Sequence, residues 1–295
     1  MANTPRTDLA VEARDLWQQG QGERLEGLVT AREQRQGFNV DLVEIRTEQA
    51  AKKLCKPAGR YVTVELDALI RREEDAFRRG CQVLAGELRR QLRLEPGSSV
   101  LVVCLGNPDI TPDAVGPLTA EHVLVTRHLR ERLGEDFACF RPVSVFRAGV
   151  LGTTGAESAE LTAAVAERLR PDRIVAVDAL AARQLSRLCQ AVQISDTGII
   201  PGSGVGNARS ALTAETLGVP VVAVGVPTVV DAATLCADLT GSEAPPEAAE
   251  LFVSPRNIDS RVRGVARLLG YSIDLALQEG MTTEDVDMYL GGCFT

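Results

Sequence analysis

Histidine is nearly missing from this chain: His122 and His128 are the two that occur in 295 residues. A serine or cysteine nucleophile needs a base beside it, so this supply disfavours triad chemistry and a histidine-rich metal centre. Cysteine is present but badly spaced for chemistry. Cys55, Cys81, Cys104, Cys139, Cys189, Cys236 and Cys293 are odd in number, far apart and never arranged as C-x-x-C. That spacing argues against a disulfide framework or a zinc knuckle and predicts reduced thiols, most of them in the core. No run approaches the roughly 20 apolar residues of a membrane span, and MANTPRTDLAVEARDLW lacks the apolar stretch of a signal peptide. The expected location is the cytoplasm, with no membrane partner. An excess of positive charge is also lacking. Forty acidic against 32 basic residues give a net charge of -8, and the arginines are dispersed, so direct nucleic-acid binding is not expected.

What is present is an ordinary globular composition, 45% hydrophobic, with mean hydropathy near zero. Residues 1–22 are polar and Gln-rich and read as a short amphipathic helix or a loosely tied arm. LEGLVTA (25–31), FNVDLVEIR (38–46) and RYVTVEL (60–66) read as strands of an antiparallel edge or small sheet. In the second of these Val43 and Ile45 break the alternation begun by Phe38, Val40 and Leu42, which predicts a shift of register. From Asp67 the period changes to that of a helix, with Ile70, Phe77, Cys81, Leu84, Leu88 and Leu92 on one stripe.

Strand and helix then alternate: SVLVVCLG (99–106), a helix from about Pro112 to Leu133, RPVSVF (141–146), a helix over 155–169, RIVAVDAL (173–180), QAVQIS (190–195) and PVVAVGVP (220–227). Continuous Val/Ile runs between helices indicate an α/β fold whose mostly parallel sheet carries helices on both faces. The segment 241–250, GSEAPPEAAE, reads as a flexible loop, and 256–291 as two helices packed on the sheet.

Two carboxylates stand where an open parallel sheet gathers its chemistry, just beyond the carboxyl ends of strands. Asp113 follows LVVCLG by a short turn, and Asp178 ends the apolar part of RIVAVD. Thr111-Pro112-Asp113 reads equally well as a helix start, with proline and an acid favoured in the first turn. Asp178 could instead be paired with Arg183 or a helix N-terminus. If the two acids approach each other, repulsion and desolvation hold one protonated and leave one ionised, a general acid and a general base for hydrolysing a peptide bond. PGSGVGNARS (201–210) has neither the dinucleotide spacing nor a phosphate-loop Lys-Ser/Thr, and Pro201 rules out a G-x-S-x-G elbow at Ser203. It reads as a backbone-lined loop beside the site, with Asn107, Asp196, Ser203 and Asn207 as wall residues. His122 and His128, six apart on one predicted helix, cannot form a two-ligand face. No cofactor is therefore expected, although a divalent ion held by carboxylates alone stays open.

Eight ordered blocks carry a resemblance: RTDLAVEA (6–13), GRYVTVEL (59–66), LGN with TPDAVGP (105–107 and 111–117), TRHL (126–129), GVLGTTG (149–155), AVDALAAR (176–183), QISDTGIIPGSGVGNAR (193–209) and GVPVVAVGVPTVVDA (218–232). Together they resemble the germination proteases of endospore-forming bacteria, endopeptidases that degrade small acid-soluble spore proteins. The resemblance implies a self-processing zymogen, a homotetramer working in the spore core, and catalytic roles for Asp113 and Asp178. It also implies a fold similar to hydrogenase maturation proteases, which hold a metal between two acids and a histidine; a metal-dependent peptidase or amide hydrolase on the same scaffold, or an inactive binding protein, is the alternative. RTDLAVEA is similar to the sites such enzymes cut, so residues 1–8 are expected to be a propeptide removed between Asp8 and Leu9, leaving one domain over 9–295. Unlike the family pattern, only about 20 residues separate VVDA from SPRNID (254–259), and RAGVLG lacks a usual proline.

Overall fold

A computed structural model describes residues 7–21, 25–242 and 244–291. One sheet organises them. Its strands are β1 (Leu28–Arg35), β2 (Phe38–Ile45), β3 (Gly59–Glu65), β4 (Val100–Leu105), β5 (Val143–Gly149), β6 (Arg173–Ala182), β7 (Ala191–Ser195), β8 (Val221–Asp231) and β9 (Phe252–Val253). The order across the sheet is β1-β2-β3-β7-β8-β6-β4-β5, with β9 appended to β8. Strands β5, β4, β6 and β8 run parallel, and the buried apolar runs of β4, β6 and β8 suit strands covered on both faces. The N-terminal hairpin strands are not a separate sheet. They continue this one as an antiparallel edge through β7, which lies antiparallel to both β3 and β8.

Helices cover both faces. Ala76–Leu92 and Ile258–Leu277 close one face over Val102, Cys104, Val175, Val177 and Val224. Because side chains alternate along a strand, Ala176, Asp178 and Leu180 lie on the other face. There Ala10–Gln21 and Glu48–Leu54 pack over the antiparallel half and Ser158–Leu169 over the parallel half. The expected register shift in β2 does not occur: its ladder with β1 is unbroken from Phe38 to Ile45. Phe38 and Val40 fill one core and Val43 and Ile45 the other, so the strand is apolar on both sides.

Other expectations need correction. The helix expected from Asp67 is two pieces, Asp67–Ile70 and Ala76–Leu92. Arg72 and Asp75 between them take left-handed backbone, φ 52° and 53°, which no helix can pass through, and Ile70 is left exposed. The helix expected from Pro112 to Leu133 is likewise broken, into the turn Thr111–Asp113, Val115–Thr119, the turn Ala120–His122 and Arg127–Leu133. Tertiary bonds hold the break open, since Leu124 N–H donates to Asp274 Oδ1 at 2.9 Å and Thr126 N–H to the Val143 carbonyl at 3.1 Å. The 241–250 segment is partly ordered by the turn Pro246–Glu250, whose Ala248 packs on Ala232 and Ala233. Of the described cysteines, Cys81, Cys104 and Cys189 are buried thiols, whereas Cys55 and Cys139 are exposed; Cys293 lies outside the described residues. No described helix is long and apolar enough to cross a membrane.

The N-terminal segment is a tied element. Leu9, Ala10 and Val11 are fully buried. The buried Glu12 carboxylate accepts the N–H groups of Arg183 at 2.7 Å and Gln184 at 3.0 Å, with the Arg187 guanidinium 3.6 Å away. Replacing Glu12 with alanine strands two backbone donors, each costing about 1–3 kcal/mol. We expect Glu12→Ala to release the segment to limited proteolysis while the rest of the chain resists.

Asp274 yields a second expectation. One of its oxygens holds Leu124, the other has no partner, and burial pushes its pKa well above the usual carboxylate range. A carboxyl whose pKa is raised by folding contributes most below its unfolded value and becomes a liability as pH rises through the folded one. Asp274→Asn should therefore raise the melting temperature at pH 8 more than at pH 5. Asp274→Ala, which strands the Leu124 N–H, should lower it at both.

Candidate active site

The carboxyl ends of β4, β5 and β6 open into a cleft of about 510 Å³. Asp113 and Asp178 both line it. Asp178 is the first β6 residue beyond the register with β4, which ends at Cys104 opposite Val177, so it stands over the tip of its neighbour while still inside the sheet. Asp113 comes from the other direction. Leu105 leads into Gly106, whose φ is +109° and where an added Cβ would lie 2.0 Å from the Asp113 carbonyl oxygen, so no side chain fits. The chain thereby folds back in a tight loop, and Asp113 Oδ2 accepts the Asn107 N–H at 2.8 Å.

Their surroundings separate the two acids. Asp178 is buried, and one of its oxygens accepts the N–H of its own neighbour, Ala179, at 2.9 Å. Burial, then the charge of Asp113, and more weakly that of Asp8, push its pKa well above the usual carboxylate range; the Ala179 N–H offsets this only in part. Asp113 is half-buried. Burial raises its pKa as well, opposed by the Asn107 N–H. Each accepts one backbone N–H, so depth is what separates them: burial raises Asp178 further than it raises Asp113.

The other expected residues divide. Asn107 and Asn207 line the cleft. Ser203 lies beside it in an adjoining cavity of about 360 Å³, its hydroxyl on Asp8 Oδ1 at 2.8 Å. Asp196 is not a wall residue of either cavity; its carboxylate is taken by the Arg60 N–H at 2.7 Å at the start of β3. Asp178 is not paired with Arg183, whose guanidinium binds Asp238 instead. His122 packs against Gly270 with its ring 6.3 Å from that of Tyr271, and burial lowers its pKa. Neither histidine lines the cleft. Among the described residues no group of three His, Cys, Asp or Glu side chains is arranged to hold a metal.

Asp8, expected at the cleavage position, also lines the cleft with Asp113 and Asp178. Its N–H donates to the Ala181 carbonyl at 2.9 Å and its Oδ2 accepts the Ala181 N–H at 2.8 Å. Leu9 is buried in the core behind it, and residues 1–6 lie outside the described residues. Gln193 escaped sequence reading altogether. It sits opposite Gly225 on β8, which in turn sits opposite Asp178 on β6. Its side chain donates to the Asp8 carbonyl at 3.1 Å and accepts the Ala10 N–H at 2.7 Å. The opposing charges of Arg209 and Glu157, 3.9 Å apart, also line the cleft and carried no sequence signal.

The chain is similar to several known proteins. The family model described as germination protease matches residues 7–241. A germination protease of Caldanaerobacter subterraneus subsp. tengcongensis is 39% identical over 319 residues, covering 97% of this chain and 98% of the relative. One of Clostridium tetani is 36% identical over 320 residues, 97% of this chain and 99% of the relative. One of Priestia megaterium is 43% identical over 244 residues, 79% of this chain but 65% of that longer relative. Among solved structures, a [NiFe] hydrogenase maturation protease HycI from Thermococcus kodakarensis aligns with a TM-score of 0.37 and 20% identity, over 63% of this chain and 98% of that one. With a family model spanning most of its length and relatives of this similarity along nearly all of it, the chain belongs to the germination protease family.

Proposed function

We propose that the chain is an endopeptidase in which Asp113 and Asp178 act as a general base and a general acid, and that its substrates are small acid-soluble spore proteins. The observation that carries this reading is the unequal pair in one cleft: a buried Asp178 with a strongly raised pKa facing a shallower Asp113 that accepts an N–H. Ionised Asp113 takes a proton from water, whose oxygen adds to the scissile carbonyl carbon. Protonated Asp178 hydrogen-bonds the carbonyl oxygen as it becomes anionic and passes its proton to the leaving nitrogen as the C–N bond breaks. The products are a carboxylic acid and an amine, and solvent restores the starting protonation of the pair. No step uses a cofactor, and a divalent ion would find the carboxyl groups of Asp8, Asp113, Glu157 and Asp178 but no histidine in the cleft lining.

Zymogen processing between Asp8 and Leu9, a homotetramer and a place in the spore core belong to the same reading. In the seated conformation the Asp8 backbone is tied to Ala181, three residues past Asp178, or roughly 10 Å along the strand. Processing at this bond therefore proceeds from a state in which residues 7–12 have left their seat.

Asp113→Asn and Asp178→Asn should each lower kcat/KM on a small acid-soluble spore protein by about 10²-fold or more, with circular dichroism unchanged. Cleavage unaffected by either change would sink the assignment. Activity restored by a divalent ion after chelation would favour the metal-dependent alternative.

The pH profile should be bell-shaped. Rate climbs as Asp113 ionises through its raised pKa and falls as Asp178 loses its proton at a higher pH. Because folding raises the Asp178 pKa, its stabilising contribution is present at low pH and lost as pH rises through the folded value. Asp178→Asn should therefore melt higher than the parent chain at neutral pH while being inactive, a combination that calorimetry and a cleavage assay test together.

A further inference from the structure

Strand β8 carries a polar group that the fold itself does not use. From Val221 to Val230 the strand reads VVAVGVPTVV, and Thr228 brings a hydroxyl into that apolar run. Thr228 is 1% exposed, and its hydroxyl makes no hydrogen bond with any described residue. Thr119, Thr162 and Ser272 are buried as deeply, and each gives its hydroxyl to a carbonyl one helical turn back, at 2.8, 2.7 and 2.6 Å. A hydroxyl withdrawn from water and left unpaired works against folding, and valine would fill the same space without that cost. Thr63 is the other buried threonine whose hydroxyl has no bond among the described residues, but it lines neither the cleft nor the adjoining cavity. Thr228 lines the cleft together with Asp113 and Asp178.

The strand is irregular at the same point. Leu180 of β6 pairs with Pro227 and Ala181 with Val229, so Thr228 has no partner in β6 and forms a bulge. A bulge bends its strand and re-aims the side chain it carries, which is why bulges gather beside active sites. Register fixes how far this hydroxyl stands from the acids. Asp178 lies opposite Gly225, and Thr228 comes three residues later, roughly 10 Å along an extended strand. That distance is too long for the atoms of the bond being cut. It matches a group about two or three residues away on an extended peptide. A hydroxyl both donates and accepts, and it carries no charge, so it suits a main-chain carbonyl or N–H and favours no particular side chain.

We propose that Thr228 is a substrate-binding residue, whose hydroxyl hydrogen-bonds the main chain of the bound peptide about two or three residues from the cut bond. This inference rests on the peptidase reading above. The free chain bears an unpaired buried hydroxyl because the substrate is what pairs it. Anchoring the main chain at a distance holds the peptide along the cleft, while Asp113 and Asp178 act on the bond itself.

The test compares the full parent chain with Thr228→Val, which keeps the shape and removes the hydroxyl, and with Thr228→Ser, which keeps the hydroxyl and removes the methyl. Each is melted by calorimetry and assayed on a small acid-soluble spore protein. Thr228→Val should melt at or above the parent temperature, because nothing in the free chain loses a partner. It should raise KM about tenfold, the worth of one hydrogen bond. Its kcat should stay within about twofold of the parent, since a contact made equally before and during the reaction is uniform binding. Thr228→Ser should keep KM near the parent value. The anchor is overturned by a parent-like KM in Thr228→Val, by a loss in kcat with KM unchanged, by a lower melting temperature in Thr228→Val, or by a serine variant as impaired as the valine one. Each of those results leaves the peptidase assignment standing. If the parent chain and both variants leave the substrate intact, the peptidase reading fails and the anchor with it.

Discussion

Burial of Asp178 beside a second carboxyl group disfavours charge on both, and the arrangement around Asp113 and Asp178 follows from that constraint. The sheet supplies the burial: β6 carries Asp178 just past the end of β4, where the pleat turns it to the cleft face. The tight loop after β4 supplies the partner and gives it an N–H from Asn107. Were the two environments alike, the pair would share one proton without preference. Each accepts one backbone N–H, so depth is what makes them unlike.

The N-terminal segment belongs to the same electrostatic problem. Asp8 brings a third carboxyl group to the edge of the pair and is held by Ser203 and the Ala181 N–H, with Lys56 close by. Its neighbours Leu9 to Val11 are core residues in their own right. The segment thus joins the fold and the site, so any event that frees it changes both the packing of one sheet face and the charge beside Asp178.

Much of this was legible from residue order. Apolar runs bounded by glycine, proline and asparagine mark most of the strands, and an acid directly after such a run is conspicuous because carboxylates are seldom buried without cause. Asp113 and Asp178 stood out on that ground. Asp196 stood out for a weaker reason, its place in a glycine-rich block, and the structure turns it to the Arg60 N–H instead. The broken helix after Asp113 was illegible because its cause lies far off, in Asp274, 150 residues along the chain. The role of Gln193 was hidden for the same kind of reason. Only when β7 inserts antiparallel between β3 and β8 does that side chain come into line with Asp178.

By itself the sequence determined the alternation of strands and helices and the parallel core and singled out the two acids, since each depends on neighbours a few residues apart and on local periodicity, although β6 runs on to Ala182 and so holds Asp178 inside the strand and not at its end. Tertiary structure alone decided that the acids share a cleft, which of them is the deeper, and that Asp8 is clamped beside them. Burial and charge coupling are sums over groups brought together from the whole chain, and no local pattern carries them.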